Sequence, residues 1–255
     1  MEHDVLILAS ILFVLAWIPI LKGFSLRFRT ILMMVASGIQ MAAVVIRGIE
    51  SGRVPFASMY ESMLLLAGLL ALRLLTGRRF LPEKASSWII PVILIIDGVI
   101  LGLPAPMKIP KPLMPALQSG WMMIHVPAYF VGYVSSVLSL IYSIIILIQF
   151  KKSKQDETSS LVTYLDQEMK ICYFFMWVGM ITGAVWAQIS WACYWFWDPK
   201  ETWAMITILV ASLYFFLQPS RLIPIKKALI TILTFLSLVF TYWGVAFLLT
   251  GIHSY

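Results

Sequence analysis

The residues of this sequence whose types and spacing could do chemistry are a dense run of tryptophans and three histidines. Trp186, Trp191, Trp195, Trp197 and Trp203 fall within WAQISWACYWFWDPKETW, half of the ten Trp in the chain. Aromatic faces bury large areas and stack, so such a surface suits a flat, apolar, polarizable ligand. The plainer reading is an interfacial belt, since Trp and Tyr favour the headgroup level of a membrane. A belt spreads its aromatics over many helix ends, however, and these crowd into one segment, 186–203. Of the histidines, His3 reads as a tail residue, whereas His125 and His253 lie at the ends of long apolar runs. Each could be an ordinary surface histidine. Two imidazoles on the same side as a Trp-rich surface also suit axial ligation of a porphyrin iron, for which His is a common ligand. The DPKE that closes the Trp run has a structural reading first: Asp198 at N-cap, Pro199 at N1 and Glu201 at N3 form a capping box. Lys200 is left over, aimed at an acidic ligand group or at solvent.

The elements that must position these residues follow from composition. Hydrophobic residues make up 61% of the 255, charged residues only 12%, and mean hydropathy is +0.91. A soluble domain carries about a quarter charged residues, so a water-soluble enzyme is excluded. Eight apolar runs stand at about 5–21, 31–46, 58–76, 87–104, 120–150, 171–190, 203–218 and 228–250. Each can cross hydrocarbon as a helix, which satisfies its own backbone hydrogen bonds there. The first follows Glu2 and Asp4, with no positive n-region and no clear cleavage site, and reads as a span rather than a signal peptide. The fold class is therefore an all-α polytopic membrane protein of about eight transmembrane helices, a single domain over 1–255.

Basic residues orient it. With the N-terminus outside, the cytoplasmic loops hold Lys22, Arg27, Arg29, Arg73, Arg78, Arg79, Lys84, Lys151, Lys152, Lys154, Lys170, Arg221, Lys226 and Lys227. The outer side keeps Arg47, Arg53, Lys108, Lys111 and Lys200. That asymmetry follows the positive-inside rule and puts both termini outside the cytoplasm. The pI near 9.4 is explained by these loops, and no nucleic-acid partner is implied. Counting about 20 residues back from the cytoplasmic end of the fifth run puts the outer hydrocarbon boundary near residue 130. His125 then stands about 8 Å above it at about 1.5 Å per residue, on the side of the Trp segment.

The remaining polar positions are weaker signals. Pro106, Pro110, Pro112 and Pro115 favour an irregular outer loop over 105–119. The charged 151–170 segment reads as a solvated helix or connector. Asp97 is an intramembrane acid, either functional or an interhelical hydrogen-bond partner, and Glu61 is placed to close a helix–helix hydrogen bond. Cys172 and Cys193 form no CxxC, and Cys193 reads as a small buried apolar residue.

Four ordered segments resemble a known family. WAQISWACYWFWDPKETW is similar to the tryptophan-rich "WWD" signature of haem-handling cytochrome c assembly proteins. RVPFASMYES (53–62) resembles the family's N-terminal P-x-x-N-x-Y-E-S segment. PALQSGWMMIHVPAYFVGY (115–133) and YWGVAFLLTGIHSY (242–255) resemble the segments bearing its two external histidines. The DPKETW ending resembles the CcsA (ResC-like) branch more than the CcmC branch. Two positions depart from the pattern. Ala57–Ser58 stand near the usual Asn, and Tyr214, Phe215 and Phe216 stand where the family's seventh span ends in Y-L-H, so that intramembrane His is absent.

The resemblance implies a cytochrome c biogenesis factor that binds b-type haem non-covalently at the outer membrane face. It would present the haem for covalent attachment to an apocytochrome c carrying CxxCH, as a component of a cytochrome c synthase complex. His125 and His253 would be the axial ligands of the iron, and Trp186, Trp191, Trp195, Trp197 and Asp198 the haem-binding loop. It also implies a CcsB-like membrane partner and a bacterial cytoplasmic membrane, in preference to a thylakoid one. No residue reads as a conventional acid–base catalyst. The alternative is a haem-binding delivery or regulatory protein that attaches nothing covalently. A transporter of an unrelated solute fits poorly, because intramembrane charges are few and the strongest motif is external.

Overall fold

A computed structural model describes residues 2–17, 26–76, 83–151, 155–218, 220 and 222–251, and among them every regular element is helical. Within these residues the bulk of each of the eight apolar runs falls on a helix, as backbone groups in hydrocarbon require. Among the described residues, five stretches are long and apolar enough to cross a membrane: Thr30–Ser51, Met59–Thr76, Met122–Lys151, Ser160–Trp191 and Ile223–Leu248. The chain is an all-α, multi-pass membrane protein. It divides into two compact units, Met1–Met114 and Pro115–Tyr255.

The first unit comprises α1 (Glu2–Trp17), α2 (Leu26–Ser51), α3 (Met59–Thr76), α4 (Glu83–Gly102) and the short α5 (Ala105–Lys108). Helix α1 packs on α2 and α4, and α3 on α2 and α4, which closes a ring of four. Leu6, Phe13, Leu64, Leu70, Ile89 and Ile93 fill its centre, while Ile7, Leu8, Ile11 and Ile95 face outward. That is the arrangement expected where the surrounding solvent is itself apolar.

Two polar clusters brace this unit. Asp97 on α4 accepts from Ser10 Oγ of α1 at 2.9 Å and from Gln40 Nε2 of α2 at 3.0 Å, so three helices share one carboxyl. At the α2–α3 end, Glu61 is fully buried and takes Arg53 at 2.7 Å and 3.0 Å and Arg47 at 3.3 Å. Arg47 also donates to the Lys108 carbonyl at 2.7 Å, and Arg53 to the Lys111 carbonyl at 3.1 Å. The network thus ties the 103–114 connection to the helix ends. Glu61 does more than the single helix–helix hydrogen bond expected of it.

The second unit carries the Trp segment. It comprises a 3-10 turn (Pro115–Leu117), α6 (Met122–Lys151), α7 (Gln155–Trp191) and α8 (Pro199–Ser212), which runs on as a 3-10 turn over Leu213–Phe216. It closes with α9 (Ile223–Val239), a π-helical turn (Phe240–Gly244) and α10 (Val245–Leu248). Helices α6 and α7 pack along much of their length, and α9 lies against α6 and α8. The inner face of α6 carries Ser135, Ser136, Ser139 and Ser143, all buried; small residues let transmembrane helices approach closely. Cys172, Met176 and Met180 of α7 meet Ile208 of α8 and Leu238 of α9 in an apolar core. The 151–170 segment resolves into the extension of α7 from Gln155, and 105–119 into α5, the 3-10 turn and irregular chain.

Candidate functional site

His125 stands in the first turn of α6, its backbone N–H bonded to the Trp121 carbonyl at 2.9 Å. Its side chain is half-buried against α7. Nδ1 lies 2.8 Å from the Gly179 carbonyl oxygen. A carbonyl can only accept, so this contact is a hydrogen bond in the tautomer that carries its proton on Nδ1. Trp186, about two turns beyond Gly179 on α7, stacks on the imidazole with ring centroids 5.9 Å apart and 23° between planes. Tyr129, one turn along α6, meets it edge-on at 5.1 Å and 82°. The imidazole is held on three sides.

Trp186 is itself fixed. It is 2% exposed, and its Nε1–H donates to the Ala116 carbonyl at 2.8 Å. Ser190 Oγ reaches the same carbonyl at 3.3 Å, so the 3-10 turn before α6 is stitched to the end of α7. Trp191 packs edge-on against Trp186 at 4.6 Å and 68°.

Beyond Trp191 the chain turns sharply, with Ala192 at φ 58° and Trp197 at φ 57°. Left-handed backbone is uncommon for residues other than glycine, and such strain gathers at functional segments. Hydrogen bonds hold the turn: Cys193 Sγ to the Trp195 carbonyl at 3.3 Å, Phe196 N–H to Glu201 Oε2 at 2.8 Å, and Thr202 Oγ1 to the Trp197 carbonyl at 3.3 Å. Asp198 is buried and caps α8, accepting from the Lys200 N–H at 3.0 Å, while Glu201 returns the bond to the Asp198 N–H at 3.3 Å. The capping box is present as the sequence spells it.

The tryptophans therefore divide into two pairs. Trp186 backs onto His125, and Trp191 packs on Trp186. Trp195 and Trp197 meet edge-on at 5.8 Å and 86°, with Trp195 packed on the Cys172–Met176–Ile208 core and Trp197 75% exposed. Tyr194 and Phe196 are exposed beside it. Trp203 leaves the group and packs on Phe240 of the π turn at 4.3 Å. Gly251 abuts the Asp198 carboxylate, where no Cβ would fit. His253 lies outside the described residues.

Lys200, left over from the capping box, lies with Nζ 5.9 Å above the Tyr242 ring. Burial pulls its ammonium below the ordinary lysine pKa, against the opposing pull of Asp198. Residues absent from the sequence-based site but present in its geometry are Tyr129, Gly179 and the Pro115–Leu117 turn. Gly179 with Gly183 four residues later was a readable signal, because small residues at that spacing mark close helix packing.

The donor set at His125 fits one axial position of a porphyrin iron. A ligating imidazole ordinarily donates its other N–H to a carbonyl or carboxylate, which fixes its tautomer and orientation, and Gly179 meets that need. Among the described residues, no three His, Cys, Asp or Glu gather as they would around a bare metal ion.

Residues 56–253 match the family model described as cytochrome C assembly protein. The chain is 34% identical over 243 residues to the cytochrome c biogenesis protein CcsA of Chlamydomonas reinhardtii, covering 91% of this chain and 69% of that one. It is 33% identical to the protein of that name from Guillardia theta, over 82% of this chain and 79% of that one. Against the one from Prochlorococcus marinus strain MIT 9301 the figures are 30%, 92% and 85%.

Proposed function

The chain belongs to the cytochrome c assembly protein family, with a role in cytochrome c biogenesis, and from that premise we propose that it binds haem at the outer membrane face and presents it to apocytochrome c. The observation that carries the reading is the clamped imidazole of His125: Nδ1 on the Gly179 carbonyl and one face on Trp186. His125 and His253 are the proposed axial ligands. When bound, haem supplies the iron that these imidazoles ligate and the vinyl groups to which the apocytochrome's thiols add.

The protein's own contribution is orientation and control of ligation. Gly179 keeps the His125 proton on Nδ1 and so presents Nε2 to iron. Trp186 and Tyr129 stop the ring from turning. The exposed faces of Tyr194, Phe196 and Trp197 offer apolar area for a macrocycle to stack on. Asp198 shapes this surface through its cap and need not touch the ligand. Release requires the substrate's histidine to replace one of the protein's, so ligation has to be firm and exchangeable. A CcsB-like partner would hold the apocytochrome, since the segments that join the helices outside are short.

Purified protein should carry haem with a low-spin spectrum. His125→Ala or His253→Ala should lower haem retention or give high-spin haem, and added imidazole should restore the low-spin form. Wild-type spectra from both variants would defeat the ligand assignment. The second reading, delivery or regulation without covalent attachment, is favoured by one observation: Phe216, 76% exposed, stands where the resembling proteins carry an intramembrane His. Co-expression with a CxxCH substrate separates the two. Covalent haem product supports attachment, and a haem-loaded protein without product supports delivery.

A further inference from the structure

The helix pair α6–α7 meshes in a way that helix packing alone does not require. His125 and Tyr129 are four residues apart on α6, and Gly179 and Gly183 four apart on α7, so each pair lines one helix face. A Cβ on Gly183 would stand 2.5 Å from His125 Cε1 and 2.6 Å from Nδ1, and one on Gly179 would stand 2.7 Å from two ring carbons of Tyr129. These are less than carbon contact distances. Both glycines are helical with negative φ, so the sequence uses them for space and not for backbone freedom. The bare backbone at Gly183 admits the Nδ1–Cε1 edge of the imidazole, and in that place Nδ1 lies 2.8 Å from the Gly179 carbonyl oxygen. A pair of glycines at this spacing ordinarily serves close helix approach. Here the space is filled by the two rings.

We propose that Gly183 and the Gly179 carbonyl form the positioning element for His125, selecting the tautomer with the proton on Nδ1 and setting the strength of the Nε2–iron bond. The inference rests on His125 being an iron ligand and adds what decides how it ligates. Gly183 is a positioning residue, acting through His125. Its substitution should therefore change the ligand's state while the fold persists. Gly132 of α6 supplies the packing control, because a Cβ there would meet the Cys172 carbonyl at an ordinary 3.6 Å.

Wild type, Gly183→Ala, Gly132→Ala and His125→Ala are purified with haem at matched protein level, and their absorption spectra and imidazole titrations compared. Gly132→Ala should match wild type. Gly183→Ala should lose most of the low-spin signal, as His125→Ala does, and recover it with added imidazole although His125 is still present. A wild-type spectrum from Gly183→Ala beside an altered His125→Ala would overturn the positioning role and leave the ligand reading intact. No change in His125→Ala would overturn the ligand reading, and the positioning role with it. A second measurement needs no glycine variant and no haem. The 15N spectrum of histidine-labelled apoprotein, with His125→Ala subtracted to assign the signal, should show His125 protonated at Nδ1 and bare at Nε2. Protonation at Nε2 instead would overturn the inference even if Gly183→Ala fails to accumulate.

Discussion

The indole of Trp186 lies near-parallel to the imidazole of His125, 5.9 Å between centroids and 23° between planes, and is anchored through its Nε1–H to the Ala116 carbonyl. The orientation of His125 is therefore coupled to a turn that precedes α6 and to the last turns of α7. Neither His125 nor Trp186 acts alone. The one presents a nitrogen, and the other decides in which plane it is presented.

Trp186 variants separate these two contributions. Trp186→Phe keeps an aromatic wall and loses the donor, while Ser190 still serves the Ala116 carbonyl. A neutral hydrogen bond contributes about 0.5–1.5 kcal/mol, so the variant should accumulate normally with a small loss of thermal stability. Trp186→Ala empties a buried site, for which about 3–5 kcal/mol is typical. It should melt much earlier and retain little haem. Melting in detergent, followed with haem absorbance, reads both. Equal haem retention in the two variants would dissociate the ring plane from ligation.

Trp197 tests the outward surface. At 75% exposure, its removal should change stability by no more than about 0.5 kcal/mol, apart from its backbone. It holds φ 57°, a conformation costing an ordinary residue about 1–2 kcal/mol, so Trp197→Gly should melt at the wild-type temperature or above it. If the exposed face stacks on haem, the same variant should retain less haem. Gain of stability with loss of ligand is the expected signature. Unchanged haem content would leave Trp197 as an interfacial anchor.

The helical class was legible, and among the described residues the bulk of each apolar run falls on a helix, because hydrocarbon leaves a chain few alternatives. The Asp198–Glu201 box was equally legible, since capping is a local code and its partners lie within three residues. The division of the tryptophans was not. Sequence places Trp186, Trp191, Trp195 and Trp197 in one cluster, but Trp186 and Trp191 end α7 whereas Trp195 and Trp197 follow the left-handed backbone at Ala192, and an alanine does not signal such a turn. The Gly179 contact to His125 spans 54 positions, beyond any local pattern. Arg47 and Arg53 counted only as outer charges in the topology argument, whereas packing makes them the counter-ions of Glu61.

Orientation can be checked directly. The basic residues gather in the segments around 22–29, 73–84, 151–170 and 221–227, and the positive-inside rule puts these in the cytoplasm. A periplasmic-type reporter inserted at Lys111 should be active, and one inserted at Gln155 inactive. The opposite pattern would place His125 and the Trp segment on the cytoplasmic side and remove the basis for meeting an external apocytochrome.

Glu61 separates structure from site. It is fully buried between two guanidinium groups, with Arg47 almost as enclosed. Removing one partner of a buried pair typically costs about 3–5 kcal/mol, because it leaves an uncompensated charge. Glu61→Gln should therefore lower the melting temperature sharply and reduce accumulation in the membrane. Combining it with Arg47→Met removes part of the orphaned charge, so the double variant should be less destabilised than the sum of the singles. Coupling of this kind is the mark of direct contact. Whatever protein accumulates should keep the wild-type low-spin haem spectrum, since Glu61 bonds only within the α2–α3 end of the first unit. A spectral change in Glu61→Gln at matched protein level would give this network a part in ligation. Additive destabilisation would instead deny the Arg47–Glu61 pair its place in the fold.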